Sequence, residues 1–249
     1  MGEIFLCYSS QDRETLVKGL LYHLTNYGLP VWYDRYKLLM GDQRNVKNFD
    51  EGVGQSNYAV VVISPNSIAT GCGALEELEL IYNKFISGSM TVFPVFFNIK
   101  AGELSAEFQW LLQLVYKELD PSIDSTGTCY HIICRYLQDE LAKYRIQSLA
   151  EVGSVIKQTS AWGYLHELIK TYDAVNENNR NAKMAILFSA CKYIEVQYSF
   201  TNLPAFYYKG VDRLFAATRL NLAIELREML ILERLFLLLL NAAVFGYIF

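Results

Sequence analysis

Two hydrophobic rhythms alternate over the first half of the chain. Short apolar runs at residues 4–8, 29–34, 58–63 and 91–97 predict strands. The run Tyr58-Ala59-Val60-Val61-Val62-Ile63 has no polar alternation, as expected of a central strand covered on both faces. Between these runs, apolar positions recur every three or four residues. Leu16, Leu20 and Leu24 stripe a helix over 12–27, and Leu75, Leu78 and Tyr82 stripe one over 72–85. Weaker helical patterns cover 43–54, 103–115 and 131–144. Strand and helix in this succession build βαβ units, hence a parallel sheet with helices on both faces. Ligands of such sheets sit at the carboxyl ends of the strands. That directs attention to Tyr8-Ser9-Ser10, Asp34-Arg35, Ser64-Pro65 and Phe97-Asn98.

Beyond about residue 147 the strand rhythm stops, and long helical stretches follow at 155–175, 182–197 and 211–249. This change of period divides the chain into an α/β domain over 1–146 and a helical accessory and oligomerisation region over 147–249.

Composition narrows the function classes. With 249 residues, 52% hydrophobic and 19% charged, the chain has the apolar surface for a sizeable core and is not disordered. Net charge is −4 with no long basic block, which argues against a nucleic-acid binder. The five cysteines Cys7, Cys72, Cys129, Cys134 and Cys191 show no CxxC spacing. Cys129, His131 and Cys134 lack the second close pair that a structural zinc needs, so no metal is expected. Free thiols and the absence of a leader pattern after Met1 point to a reducing cytoplasm. The apolar tail 235–249 is shorter than the roughly 20 residues that cross a bilayer, and Glu233-Arg234 precedes it. Packing in a bundle or against a second subunit is expected ahead of membrane anchorage.

Four fragments occur in a telling order: Ile4-Phe5-Leu6-Cys7-Tyr8-Ser9-Ser10-Gln11-Asp12, Val31-Trp32-Tyr33-Asp34, Leu38 with Gly41-Asp42, and Val60-Val61-Val62-Ile63-Ser64-Pro65-Asn66-Ser67. Together they resemble a TIR (Toll/interleukin-1 receptor) domain of bacterial style over roughly residues 1–145. The resemblance implies a flavodoxin-like fold with a five-stranded parallel sheet. It also implies one of two roles: cleavage of NAD⁺ at the nicotinamide–ribose bond, commonly in antiphage defence of the Thoeris type, or non-enzymatic scaffolding, as in adaptors and virulence factors. NAD⁺ would be substrate, with no further cofactor.

In the enzymatic class a glutamate on the helix after the third strand is indispensable. Aligning Glu77-Leu78-Glu79 with the family's Glu-Leu pattern makes Glu77 the catalytic candidate, with Glu76 the alternate. Gly73, or Cys72 in the shifted register, stands where the family often has tryptophan. A carboxylate suits the chemistry, because the ribose acquires oxocarbenium character as neutral nicotinamide leaves. By resemblance, Tyr8, Ser9, Ser10, Asp34, Lys37, Gly41 and Ser64 would line or gate the NAD⁺ site. Trp32 fits core packing better than stacking on a ligand, and Ser9 or Ser10 could equally cap the first helix. The loop near Gly41 and the C-terminal helices are the expected surfaces for homo-oligomerisation, and an effector or sensor protein is a possible partner.

Overall fold

The computed structural model describes residues 2–43, 46–123, 125–156, 162–200, 203–209 and 225–246. The chain forms two compact units, residues 1–133 and 134–249.

The first unit is built on a parallel five-stranded sheet of order β2-β1-β3-β4-β5. Its strands are β1 (Ile4–Cys7), β2 (Val31–Trp32), β3 (Tyr58–Ile63), β4 (Thr91–Phe97) and β5 (Lys117–Leu119). β3 is central and all six of its residues are buried, as its unbroken apolar run predicts. Its neighbours lock in register through pairs such as Phe5 with Ala59 and Val60 with Phe93.

The first crossover opens on Ser9, whose side chain accepts a hydrogen bond from Gln11 N at 3.4 Å. It continues through a tight turn at Ser10–Asp12 and a wide turn at Arg13–Val17 into α1 (Lys18–Asn26). Gly28, at φ 83°, lets the chain turn from α1 into β2. A short helix α2 (Asp34–Lys37) follows β2, and a wide-turn helical segment occupies Val46–Val53. α3 (Ala74–Ile86) joins β3 to β4. The helix expected over 103–115 is instead two tight 3₁₀ segments, Ala101–Glu103 and Ala106–Gln113, interrupted where Leu104 turns extended. Trp32 is buried in the core beside Phe5, Val61 and Leu78.

The chain passes into the second unit within α4 (Thr126–Ala142). That unit holds α5 (Leu149–Ile156), α6 (Gly163–Ala174), α7 (Arg180–Gln197), α8 (Ala205–Lys209) and α9 (Leu226–Phe245). The expected helix over 155–175 thus appears as the end of α5 and the whole of α6, with 157–161 outside the described residues. Of the stretch expected over 211–249, residues 211–224 and 247–249 also lie outside them.

α9 packs on α7 and α5, burying Leu232, Leu235, Leu238, Leu239 and Leu240. Its one buried amide, Asn241, is satisfied: Oδ1 accepts from Gln147 N at 3.0 Å, and Nδ2 donates to Leu237 O at 2.8 Å and Gln147 O at 3.2 Å. No described helix is long and apolar enough to cross a membrane.

Candidate active site

A hollow of about 580 Å³ opens where β1, β2 and the start of α3 meet at the carboxyl edge of the sheet. That volume lies in the usual range for small-molecule sites. The end of β1 supplies Tyr8, Ser9, Ser10, Gln11 and Arg13; the end of β2 supplies Asp34 and, beyond α2, Leu38. The loop after β3 and the first turn of α3 complete the wall with Asn66, Gly71, Cys72, Gly73 and Glu77.

Glu76 and Glu77 are adjacent but separate sharply. One residue rotates the side-chain direction by about 100° around a helix. Glu76 is exposed, whereas Glu77 is 5% exposed and lines the hollow. Asn48 Nδ2 donates to Glu77 Oε1 at 3.0 Å. The Cys7 thiol, which also donates to Ala74 O at 3.6 Å, lies beside the same carboxylate. Burial, and then the nearby Glu77 charge, push the Cys7 thiol pKa well above its ordinary value. An ionised carboxylate is also favoured near a helix N-terminus. Gly73 caps α3, so backbone rather than a large side chain forms that part of the wall.

Across the hollow the Tyr8 hydroxyl donates to Asp34 Oδ1 at 2.6 Å. Arg13 donates to that hydroxyl from Nε and Nη2 at 3.4 Å, and its Nη2 stands 3.7 Å from Asp34 Oδ2. Burial, reinforced by the bond to Asp34, raises the Tyr8 pKa, so the phenol stays protonated and acts as a donor at neutral pH. The bond to Tyr8 raises the Arg13 pKa. Among the described residues the wall therefore offers one cation and two carboxylates, with Ser9 and Ser10 beside them.

Of the residues singled out from sequence, Tyr8, Ser9, Ser10, Asp34 and Glu77 line the hollow together. The structure places three others elsewhere. Ser64 is fully buried behind the wall: its hydroxyl donates to Asp12 Oδ2 at 2.5 Å and accepts from Ser67 N at 3.0 Å. Lys37 pairs with Glu3 at 3.1 Å and lies over the Trp32 ring, its ammonium 5.0 Å from the centroid. Gly41, at φ 101°, sits in the open loop after α2. Arg13, Asn48 and Asn66 carry no site signal in the sequence. Asn66 is held in place by Asp12, to whose Oδ1 it donates at 2.6 Å. Among the described residues, no cluster of three or more His, Cys, Asp or Glu could hold a metal ion.

The family model for the TIR domain matches residues 4–121, the span of the five-stranded sheet from its first strand to its last. Residues 4–121 form a TIR domain. Among curated proteins, this TIR segment is similar to the 2′ cyclic ADP-D-ribose synthase BtTIR of Bacteroides thetaiotaomicron, at 29% identity over 41% of this chain and 35% of that protein. It is also similar to the NAD(+) hydrolase TcpC of Escherichia coli O6:H1, at 28% identity over 44% of this chain and 35% of that one. The NAD(+) hydrolase TcpA of a Theionarchaea archaeon is 29% identical over 42% of this chain and 31% of its own length. The match thus spans about a third of the length of these relatives.

Proposed function

We propose that this chain cleaves NAD⁺ at the nicotinamide–ribose bond, with Glu77 as the catalytic carboxylate. The observation that carries this reading is the burial of Glu77 against a hollow that also holds a cation, in a TIR domain whose relatives bear the names of NAD⁺ hydrolases and cyclic ADP-ribose synthases. As the C–N bond breaks, its electron pair leaves with neutral nicotinamide and the ribose takes positive character. A fixed anion beside the ribose stabilises that charge, and groups of this kind are worth about 10²–10³ in rate. Water then adds at the ribose carbon to give ADP-ribose and a proton, or a ribose hydroxyl of the same molecule adds, releasing its proton, to give a cyclic product. Arg13 suits the pyrophosphate, and Tyr8, Ser9, Ser10 and Asp34 suit hydroxyl groups. Ser64 acts from behind, through Asp12. No metal or further cofactor enters the scheme.

The run Tyr36, Leu39 and Met40, which is 75%, 75% and 107% exposed, supports self-association through the loop at Lys37 and Gly41. The helical region over 147–249 would assist that assembly. A cytoplasmic antiphage role, with a separate sensor or effector partner, completes the reading. The same exposed run favours a second reading, a scaffold acting by TIR–TIR contact alone. Incubating the full chain with NAD⁺ and separating products by chromatography tells them apart. Nicotinamide with ADP-ribose, or with a cyclic isomer, supports the enzyme; NAD⁺ left intact by the assembled chain supports the scaffold.

A further inference from the structure

The Val46–Val53 segment stands behind the site and contributes nothing to the wall of the hollow. It is nevertheless fastened to α3 at both ends. At one end Asn48 donates to Glu77. At the other, Lys84 Nζ donates to the carbonyls of Val53, Gly54 and Ser56 at 3.0, 2.7 and 2.7 Å. Glu77 and Lys84 are seven residues apart, so both project from one face of α3. The segment is also pressed on the sheet, since a Cβ at Gly52 would come within 2.8 Å of the rings of Phe5 and Trp32. Asn48 itself is 1% exposed, and its Oδ1 is buried with no hydrogen-bond partner among the described residues. An apolar side chain at position 48 would avoid the free-energy cost of that unmade bond. The asymmetry, one oxygen unsatisfied while the amide nitrogen is spent on Glu77, marks the donation as what the residue contributes.

The geometry points to Asn48 as a positioning residue for the catalytic carboxylate: its amide holds Oε1 of Glu77 from behind, so that the carboxylate faces the hollow in one fixed orientation. This rests on the reading of Glu77 given above. A hydrogen bond donated to a carboxylate oxygen favours the charged form of such a group. Among the described residues, the charged and titratable groups near Glu77 are the Cys7 thiol of β1, Cys72 in the loop before α3, and Arg13 and Asp34 across the hollow; Glu76 and Glu79 lie on its own helix. On the Val46–Val53 segment, Lys47 and Glu51 are paired with each other at 2.8 Å.

The test compares the full-length wild type with Asn48→Leu and the near-isosteric Asn48→Asp. It reads NAD⁺ kinetics across pH and the ¹³C titration of the Glu77 carboxyl in labelled protein. For Asn48→Leu, kcat falls about 10–100-fold, as for other groups that orient a reacting side chain. KM stays within about twofold, and both the acid limb of kcat and the Glu77 titration move to higher pH. Asn48→Asp moves the titration further up, because a second carboxylate opposes ionisation. A folded Asn48→Leu protein with unchanged kcat, pH profile and Glu77 titration overturns the inference. Should Asn48→Leu not fold, the Asn48→Asp titration decides. A wild type that releases no nicotinamide defeats the function proposed above, and the Glu77 titration then decides alone whether Asn48 holds the carboxylate.

Discussion

Asp12 holds Asn66, part of the wall of the proposed site, and Ser64 behind it. It is 2% exposed, and both carboxylate oxygens are engaged: Oδ2 by the Ser64 hydroxyl at 2.5 Å and Oδ1 by Asn66 Nδ2 at 2.6 Å. Hydrogen bonds to a charged group contribute about 1.5–3 kcal/mol each, and a stranded buried donor costs about 1–3 kcal/mol. Replacement by asparagine preserves shape but leaves one acceptor. With the Asn66 amide kept in its present orientation, that acceptor stays toward Asn66, so the new amide turns to Ser64 and the hydroxyl loses its acceptor. Asp12→Asn should therefore lower the stability of the α/β unit by about one charge-assisted bond, 1.5–3 kcal/mol. Asp12→Ala removes both and should cost about 3 kcal/mol or more. Native-state hydrogen exchange at the β1 and β3 amides reads this in the unit concerned, as roughly 10–150-fold faster exchange for Asp12→Asn. Adding Ser64→Ala should make the asparagine variant less damaging, since the stranded hydroxyl is then gone. Exchange within twofold of wild type in Asp12→Ala would refute the reasoning.

Two further outcomes are expected. Tyr8→Phe removes the hydroxyl that joins Arg13 to Asp34, so the KM for NAD⁺ should rise about 3–10-fold with kcat changed less, as loss of one bond worth about 1 kcal/mol predicts; initial-rate kinetics check this, and an unchanged KM counts against Arg13 as a substrate contact. Burial raises the pKa of Cys7 and of Cys191 above the ordinary 9.0. Above about pH 9 the unfolded chain therefore releases protons that the folded chain keeps, and each thiol lowers stability by about 1.4 kcal/mol per pH unit. Urea midpoints should fall between pH 8 and 10, and Cys7→Ala should flatten the part of that slope due to the α/β unit.

Much of the α/β unit was legible because its strands are runs of apolar residues between turn formers. β5 escaped, since Lys117-Glu118-Leu119 is a short edge strand whose single buried side chain leaves no periodic trace. The tight and wide turns at Ser10–Val17 and Val46–Val53 share the spacing of ordinary helices, so periodicity cannot separate them. At the site, the order of motifs led to Tyr8, Asp34 and the pair Glu76-Glu77, but adjacent acids look alike until burial divides them. Asn48 meets Glu77 across 29 positions, and Asn66 meets Asp12 across 54, distances at which local pattern carries no signal. Arg13 reads as an ordinary first-turn residue of a helix until the fold sets it against Tyr8.

Glu77, and not its neighbour Glu76, is the carboxylate proposed to do chemistry on NAD⁺. Glu77→Gln and Glu76→Gln are near-isosteric, and one alters a buried group while the other alters an exposed one. Nicotinamide release, followed by chromatography at equal concentration and matched assembly state, should fall at least 100-fold in Glu77→Gln and stay within twofold of wild type in Glu76→Gln. Full activity in a folded Glu77→Gln protein would contradict the account.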